Sequence, residues 1–172
     1  MSGYRFRPFT RADLPLAAGW LRTPEVMRWW GDPAQQIALL GEDLDEPLMR
    51  QWIVEHAGRA FAYLQAYPAK AWPQPHLARL PDAAEVIDAF IGEPAMLARG
   101  HGSALLRTMA EQLLAEGAAA VAIDPARDNH RARRACVRAG FIGEQIVETE
   151  AGPAVLMVFS PADKTAPGQR PT

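Results

Sequence analysis

A strand that leads into a glycine turn and then a helix is the feature that most constrains this chain. Residues 86–91 (V-I-D-A-F-I) have the apolar composition of a buried strand, and an apolar helix over 102–115 follows at once. The turn between them contains Arg99-Gly100-His101-Gly102-Ser103. Successive backbone amides at a helix N-terminus stabilise an anion. The sequence therefore predicts a pyrophosphate site with an acid, Asp88, just upstream.

Two common phosphate loops do not fit this turn. A loop for ATP needs the pattern G-x-x-x-x-G-K-[ST], and a dinucleotide turn needs G-x-G-x-x-G. After Gly100 and Gly102, neither a third glycine nor a lysine stands at the required spacing. A plain strand-to-helix connection stays open as an alternative, because two glycines before a helix often serve only a tight turn.

The turn resembles the acyl-CoA site of the GNAT superfamily of N-acetyltransferases, whose signature is [RQ]-x-x-G-x-[GA]. Gly100 and Gly102 match it, whereas Leu97 stands in place of the usual Arg or Gln. The segment over 87–106 is similar to the bacterial aminoglycoside 6'-N-acetyltransferase branch, which tolerates leucine there. Further matches run in the same order from Tyr4 to Phe159 and comprise Arg7-Pro8-Phe9-Thr10, Asp13-Leu14-Pro15, Trp20-Leu21, Pro24-Glu25-Val26, Trp29-Trp30-Gly31-Asp32, Tyr63-Leu64-Gln65-Ala66-Tyr67, Ile123-Asp124-Pro125, Asn129, Arg131, Ala132, Ala139-Gly140-Phe141 and Gly152-Pro153-Ala154-Val155-Leu156-Met157.

This resemblance implies the α/β class and the GNAT fold. The expected architecture is a mixed central sheet of six to seven strands, flanked by four or more helices, with strands four and five splayed apart. We expect one acyl-CoA N-acyltransferase domain over residues 1–161. Residues 162–172 are polar and contain Pro and Gly, so we expect a disordered tail there.

Hydrophobic periodicity and turn residues predict the individual elements. They are an edge strand over 4–9, a helix after Thr10 that turns Leu14, Leu16, Ala17, Trp20 and Leu21 inward, a short helix from Pro24 to Trp30, a helix within 33–55 that carries Leu39, Leu40, Leu44 and Met49, strands over 59–67, 85–91 and 119–123, helices over 102–115 and 130–139, and a hairpin around 150–152. Residues 68–82 are rich in proline, which predicts a surface loop.

Composition excludes several classes of function. The 172 residues carry 18 Lys and Arg against 20 Asp and Glu, a net charge of −2, which gives no clustered basic footprint for nucleic acid. The single cysteine, Cys136, favours a reducing compartment. With no leader and no apolar run of about 18 residues, we expect a cytoplasmic protein that binds no membrane. We expect a monomer or homodimer, a small-molecule amine as partner and no metal.

Acetyl transfer to an amine needs a neutral amine, because an alkylammonium with a pKa of about 10 has no lone pair. A carboxylate beside the amine binds the incoming cation and takes its proton, directly or through water. Asp88 precedes the turn and matches the acid that the aminoglycoside branch uses there, so we predict it as the general base. The alternative is an aspartate that closes a strand or pairs with an arginine.

The acceptor side is predicted partly from the resemblance and partly from the residue types. Asp124 ends the fifth strand and matches a residue that contributes to cationic substrate binding, although it would also serve as a turn cap. Tryptophans at positions 30 and 72 offer flat apolar walls for a sugar ring. The predicted acceptor residues are Asp124, Trp30, Gln65, Tyr67 and Trp72, with Glu55 and Asp82 as further polar candidates.

Acetyl-CoA is the implied acetyl donor, and the resemblance places its contacts. Asn129 matches the asparagine that bonds the pantetheine arm, or it caps the following helix. The predicted donor-site residues are Phe90, Ile91, Leu97, Arg99, Gly100, His101, Gly102, Ser103, Asn129 and Ala132. Among them, His101 is expected to contribute mainly its backbone amide.

Cys136 departs from the family, which usually has a tyrosine here that protonates the leaving thiolate. A thiol with a pKa of about 8.5 is a possible leaving-group acid, but CoA thiolate is itself a good leaving group. We favour Cys136 as a small buried residue over a leaving-group acid, since free cysteine is among the most buried residue types.

Two other functions remain open. The first is acyl transfer to a siderophore-type hydroxylamine. That branch shares the I-G-E-P and R-G-x-G residues but usually carries histidine and aspartate at the acceptor side, whereas Asp88 here has no histidine beside it. The second is a non-catalytic acyl-CoA-binding module. Such a module is expected to lose Asp88 while keeping Gly100 and Gly102, so the two retained acids, Asp88 and Asp124, favour catalysis.

Overall fold

A mixed seven-stranded sheet organises residues 3–161, the part of the chain that the computed structural model describes. Its strands are β1 (Tyr4–Pro8), β2 (Arg50–His56), β3 (Arg59–Pro68), β4 (Ala84–Ile91), β5 (Ala120–Ile123), β6 (Phe141–Thr149) and β7 (Gly152–Phe159). The helices are α1 (Leu14–Leu21), α2 (Pro24–Trp30), α3 (Pro33–Asp43), α4 (His101–Ala115) and α5 (His130–Ala139). The strand order is β1-β2-β3-β4-β5-β7-β6. The predicted fold class is confirmed, while the expected tail over 162–172 lies outside the described residues.

The two central strands separate, as predicted. β4 and β5 form the parallel pair of the sheet, and they pair only from Ala84 opposite Ala120 to Val86 opposite Ala122. Beyond that point β4 stays paired with β3 as far as Ile91, and β5 stays paired with β7. The chain leaves β5 through Pro125, whose missing N–H cannot continue a ladder. A gap therefore opens between two strands that are each held on their outer side.

Side chains that alternate along β4 enter two different cores. Ile87 packs with Leu105, Met109 and Leu113, which recur every four residues on α4. Phe90, on the other face of the sheet, packs with residues of α1, α2 and α3. Burying each large apolar side chain contributes about 1.5–3 kcal/mol relative to leaving it exposed. The α4 contacts fix the helix, and with it the turn that precedes it, against the sheet.

Two predictions about individual segments are wrong. The helix predicted within 33–55 ends at Asp43, so Leu44 and Met49 lie beyond it, and residues 50–56 form β2. The strand prevails there because it pairs with β1 on one side and β3 on the other. Leu16, predicted to face inward, is 37% exposed on α1, whereas Ala17 and Trp20 of the same helix are buried. The surface loop predicted over 68–82 is confirmed, although its Leu77 is buried.

No helix within residues 3–161 combines the length and the apolar character that crossing a bilayer requires.

Close packing of Trp20 on Gly92 ties α1 to the end of β4. The indole Nε1 donates a hydrogen bond to Glu93 Oε1 at 3.0 Å, and a Cβ at Gly92 would overlap the Trp20 side chain. Trp20 is itself buried, so the ring has little room to move away. Glycine is required at this position because the indole occupies the space of a side chain.

Gly92→Ala is therefore expected to destabilise the chain by about 1–3 kcal/mol or more, the usual cost of overpacking a core. Thermal unfolding monitored by circular dichroism measures the change. Gly19→Ala is the matched control, because Gly19 is an exposed residue of α1 and a Cβ added there would meet nothing within 4 Å. That control is expected to be neutral or stabilising by about 0.5–1 kcal/mol. Equal melting temperatures for Gly92→Ala and wild type would contradict the packing argument.

Candidate active site

The turn before α4 presents a row of free backbone amides. Ala98 and Gly100 adopt positive φ angles of 57° and 83°, which curl the chain before the helix begins. Among residues 3–161, no backbone carbonyl accepts from the amides of residues 98–103, and the first bond of the helix runs from Ala104 N to Gly100 O at 3.2 Å. Positive φ at a non-glycine residue marks a strained backbone of the kind that functional sites retain. These donors fit the pyrophosphate of CoA.

The His101 side chain turns away from these amides. The Tyr4 hydroxyl and His101 Nδ1 are 2.7 Å apart, and the rings of His56 and Phe61 pack around the imidazole. Burial, followed by the nearby His56 and Arg99, lowers the pKa of His101. The backbone amide of His101 thus belongs to the row of free amides in the turn. Its imidazole ring anchors the start of α4 to the edge strand β1.

A cleft of about 730 Å³ lies where β4 and β5 separate. α2, α4, α5 and the tip of the β6–β7 hairpin surround it. The predicted site residues that line it are Asp88, Asp124, Trp30, Gln65, Tyr67, Phe90, Ile91, Leu97, Gly102, Asn129, Ala132 and Cys136. Arg99, Gly100, His101 and Ser103 lie in the turn at its edge, where Ser103 Oγ donates to Gly100 O at 3.0 Å.

The aromatic candidates for the acceptor wall divide into two groups. Trp30 lines the cleft and packs edge-on against Phe90, with the ring centroids 4.9 Å apart. Trp72 lies outside the lining and packs edge-on against Tyr67 at 5.6 Å. Among the polar candidates, Glu55 is bonded instead to Arg7 Nε at 2.9 Å on the first strands of the sheet. Asp82 is likewise outside the lining.

Asp88 ends a directed chain of hydrogen bonds. Gln65 Nε2 donates to Asp88 Oδ2 at 3.1 Å, and the Tyr63 hydroxyl donates to Gln65 Oε1 at 2.8 Å. Gln51 Nε2 lies 2.9 Å from the Tyr63 hydroxyl and 3.1 Å from Leu40 O in α3. β3 places Gln65 opposite Asp88 in the sheet register. The chain fixes one carboxylate oxygen and leaves the other to face the cleft.

The environment of Asp88 raises its pKa to about 7. Burial is the main cause, the charge of Asp124 adds to it, and the hydrogen bond from Gln65 opposes both. A carboxyl that titrates near neutral pH is suited to general base catalysis, because it is ionised enough to accept a proton and basic enough to hold it.

Asp124 contacts a histidine, His76, that was not predicted from the sequence. His76 Nε2 lies 2.8 Å from Asp124 Oδ2, and the His76 side chain is only 3% exposed. Burial raises the pKa of Asp124, and the bond from His76 opposes that shift. His76 comes from the loop between β3 and β4, far from Asp124 in sequence, so no local motif indicated the contact. The hairpin tip with Glu150 also lines the cleft and was predicted only as a turn.

The start of α5 forms the opposite wall of the cleft. Asn129 Oδ1 accepts from the Ala132 amide at 3.1 Å, so the side chain caps the helix while it lines the cleft. Cys136 is 1% exposed, and burial raises the pKa of its thiol to about 12. A thiol with that pKa stays neutral near pH 7 and is a weak proton donor. This environment is typical of the buried residue that we favoured.

The family follows from comparison with known proteins. Residues 10–149 match the family model described as an Acetyltransferase (GNAT) domain. The chain belongs to the GNAT acetyltransferase family. It is thus an acetyl-CoA-dependent N-acetyltransferase, as its sequence and its free amide turn indicate. The turn over 98–103 and the start of α5 present the groups suited to hold acetyl-CoA.

Relatives among the GNAT acetyltransferases cover nearly the whole chain. Aminoglycoside N(6')-acetyltransferase type 1 of Klebsiella pneumoniae is 28% identical over 165 residues, with 88% of this chain and 80% of the relative covered. The structure of AAC(6')-Ib with ribostamycin and coenzyme A superposes with a TM-score of 0.82 at 26% identity, covering 92% of this chain and 93% of the other. The structure of AAC(6')-Ib with paromomycin and acetyl-CoA gives 0.80 at 27% identity, with the same coverage.

Gly100→Ala is expected to raise the Kd for acetyl-CoA about tenfold or more, because displaced amides lose charge-assisted hydrogen bonds to the phosphates. Calorimetric titration with acetyl-CoA measures it. Gly117→Ala is the matched control at the far end of α4. Both glycines have positive φ and open space where a Cβ would lie, so both variants carry a similar strain of about 1–2 kcal/mol. A Kd that rises equally in both variants would show that global strain, rather than the turn, is responsible.

Proposed function

We propose that this GNAT acetyltransferase acetylates a primary amine of a cationic small molecule, an aminoglycoside 6'-amine or a related amino-sugar. The observation that carries the proposal is the pair of carboxyls, Asp88 and Asp124, at the point where β4 and β5 separate. Continuing the strand register from Val86 opposite Ala122 brings these two positions level with each other. The aminoglycoside acetyltransferases that the chain resembles support the choice of acceptor.

The charge of the cleft favours a cationic acceptor. Its lining holds five carboxyl side chains and two guanidinium side chains, and one of the latter, Arg131, is paired with Glu25 at 3.2 Å. A cleft lined by one sign of charge concentrates ligands of the opposite sign. The carboxyl residues are Glu25, Asp88, Asp124, Asp128 and Glu150. An acceptor with several ammonium groups would meet them in succession.

The two carboxyls divide the work on the amine. The acceptor arrives as an ammonium ion, and Asp124 provides a negative charge that binds it. Asp88, with its pKa near 7, takes one proton, directly or through water, and leaves a lone pair on nitrogen. Acetyl-CoA supplies the acetyl group as an activated thioester. The turn over 98–103 holds the phosphates, so that donor and acceptor meet in one ternary complex without a covalent enzyme intermediate.

A hydroxylamine acceptor is the second candidate. The sequence argued against it because no histidine accompanies Asp88, but His76 reaches the acceptor side from the loop and contacts Asp124. A histidine and an aspartate thus stand together at the acceptor end, the combination that the sequence lacked. An uncharged hydroxylamine would gain little from the acidic lining, which is why the cationic amine is preferred.

The test is acetyl-CoA-dependent thiol release with a panel of 6'-amino aminoglycosides, polyamines and hydroxylamines. Turnover confined to the aminoglycosides supports the proposal, and turnover confined to hydroxylamines supports the second candidate. No turnover on the panel, with acetyl-CoA still bound in calorimetry, would contradict both acceptors.

Asp88→Asn is expected to lower kcat on the active amine about 10²–10³-fold, the usual contribution of a general base. In wild type, kcat/KM should rise as pH increases through about 7, because the carboxyl must lose its proton to act, and the variant should lack this limb. Asp45→Asn removes an exposed carboxylate that does not line the cleft and is expected to keep kcat within about threefold. A normal kcat in Asp88→Asn would exclude Asp88 as the base.

Thermal unfolding checks that Asp88→Asn is folded. The raised pKa of Asp88 also sets the sign of the change of stability with pH. Between the unfolded value of 3.8 and about 7, folded Asp88 holds a proton that the unfolded chain releases, so wild type loses stability as pH rises through this range. The variant should therefore lose less stability than wild type between about pH 5 and about pH 8. A larger loss in the variant would contradict burial of the charge.

Gln65→Met is expected to move the acidic limb of kcat/KM to higher pH. The hydrogen bond from Gln65 Nε2 favours the ionised form of Asp88, and methionine keeps the volume without the donor. Initial rates over a pH series measure the shift. Gln112→Met, on the exposed side of α4, is the control and should leave the limb in place. A limb that moves to lower pH in Gln65→Met would contradict this role.

A further inference from the structure

His76 is held in place by the packing of its own loop. The residues over 75–77 form a single 3-10 turn, whose Leu77 is 1% exposed and packs with Tyr67 and Val86 on β3 and β4. Lys70 Nζ donates to Ala78 O at 3.0 Å and closes the same loop. These contacts leave the imidazole with little freedom, 2.8 Å from Asp124.

The direction of this hydrogen bond follows from the chemistry of the two groups. While Asp124 is ionised it only accepts, and in that state His76 Nε2 carries the hydrogen that bonds Asp124 Oδ2. Among residues 3–161, His76 Nδ1 has no hydrogen-bond partner, so the contact with Asp124 is the one polar interaction of the ring there. A buried imidazole committed to one carboxylate orients that carboxylate.

Asp124 depends on this bond. Within the described part of the chain, no Lys or Arg lies within 4.0 Å of Asp124, and its side chain is 19% exposed. Removing a carboxylate from water without a partner is costly, and the nearby charge of Asp88 adds repulsion. His76 therefore supplies the donor that an ionised Asp124 requires while the cleft holds no acceptor.

We propose that His76 is a positioning residue for acceptor binding, whose Nε2–H holds the Asp124 carboxylate ionised and directed into the acceptor end of the cleft. The inference rests on the proposed acetylation of a cationic amine, in which Asp124 binds the ammonium and Asp88 takes the proton. It assigns the binding of the cation to a pair of residues, Asp124 and His76, of which only the first is in the aminoglycoside-branch resemblance.

The kinetic test uses two substitutions at one position. His76→Leu fills the volume without a donor, and His76→Gln retains an N–H at similar reach. With the amine that turns over in the panel, His76→Leu is expected to raise KM about tenfold or more and change kcat less than about threefold, since a lost charge-assisted hydrogen bond is worth that much. His76→Gln is expected to stay within about threefold of wild type in both constants.

A double-mutant cycle separates positioning from packing. In an Asp124→Ala background, His76→Leu should not raise KM further, because the carboxylate that it positions is gone. Thermal unfolding checks that each variant is folded. Acetyl-CoA binding, which involves the other end of the cleft, provides a second check. Unchanged KM in His76→Leu, equal damage in His76→Gln, or additive effects in the cycle would each overturn the proposal.

A measurement without acceptor keeps this inference distinct from the proposed function. In protein labelled with ¹⁵N at histidine, we expect His76 to show the Nε2–H tautomer at about pH 8, with the Nε2–H proton shifted downfield by its bond to Asp124, and Asp124→Ala to remove that downfield shift. If no amine in the panel is turned over, the proposed function fails while this spectrum still tests the contact. An Nδ1–H tautomer in wild type would overturn the inference in either case.

Discussion

The early separation of β4 and β5 is the constraint on which the rest of the structure depends. The parallel pairing ends at Val86 and Ala122, yet neither strand is left isolated, because β3 and β7 hold the outer sides. A rigid sheet with a gap at its centre gives a cleft whose walls do not collapse. Asp88 on β4 and Gly102 at the start of α4 both line this cleft.

Two carboxyls brought into one cleft have different partners, and this difference separates their roles. Asp88 receives a neutral amide donor, Gln65, which only partly opposes the effect of burial on its pKa. Asp124 instead contacts the imidazole of His76, whose Nε2 lies 2.8 Å from Asp124 Oδ2. In the proposed mechanism, the same residue type would therefore serve as a proton acceptor in one position and as a cation binder in the other.

The sequence predicted the parts of the site that are local in the chain. The turn with Gly100, the acid Asp88 in the preceding strand and the cap Asn129 each depend on neighbours within a few residues. His76 was missed because its partner Asp124 is brought to it by the sheet, not by the chain. β2 was missed for a similar reason, since Arg50–His56 becomes a strand by pairing with two others. Periodicity alone does not contain such long-range pairings.

The hydrogen-bond chain behind Asp88 has a consequence for how a catalytic cycle ends. Its links through Gln65 and Gln51 are carboxamides, which donate hydrogen bonds but do not release protons near neutral pH, and it terminates at the Leu40 carbonyl. A proton taken up by Asp88 consequently has no exit through the protein interior along this route. In the proposed mechanism, that proton would return through the open mouth of the cleft, which would couple regeneration of the free base to departure of the acetylated product and re-entry of water.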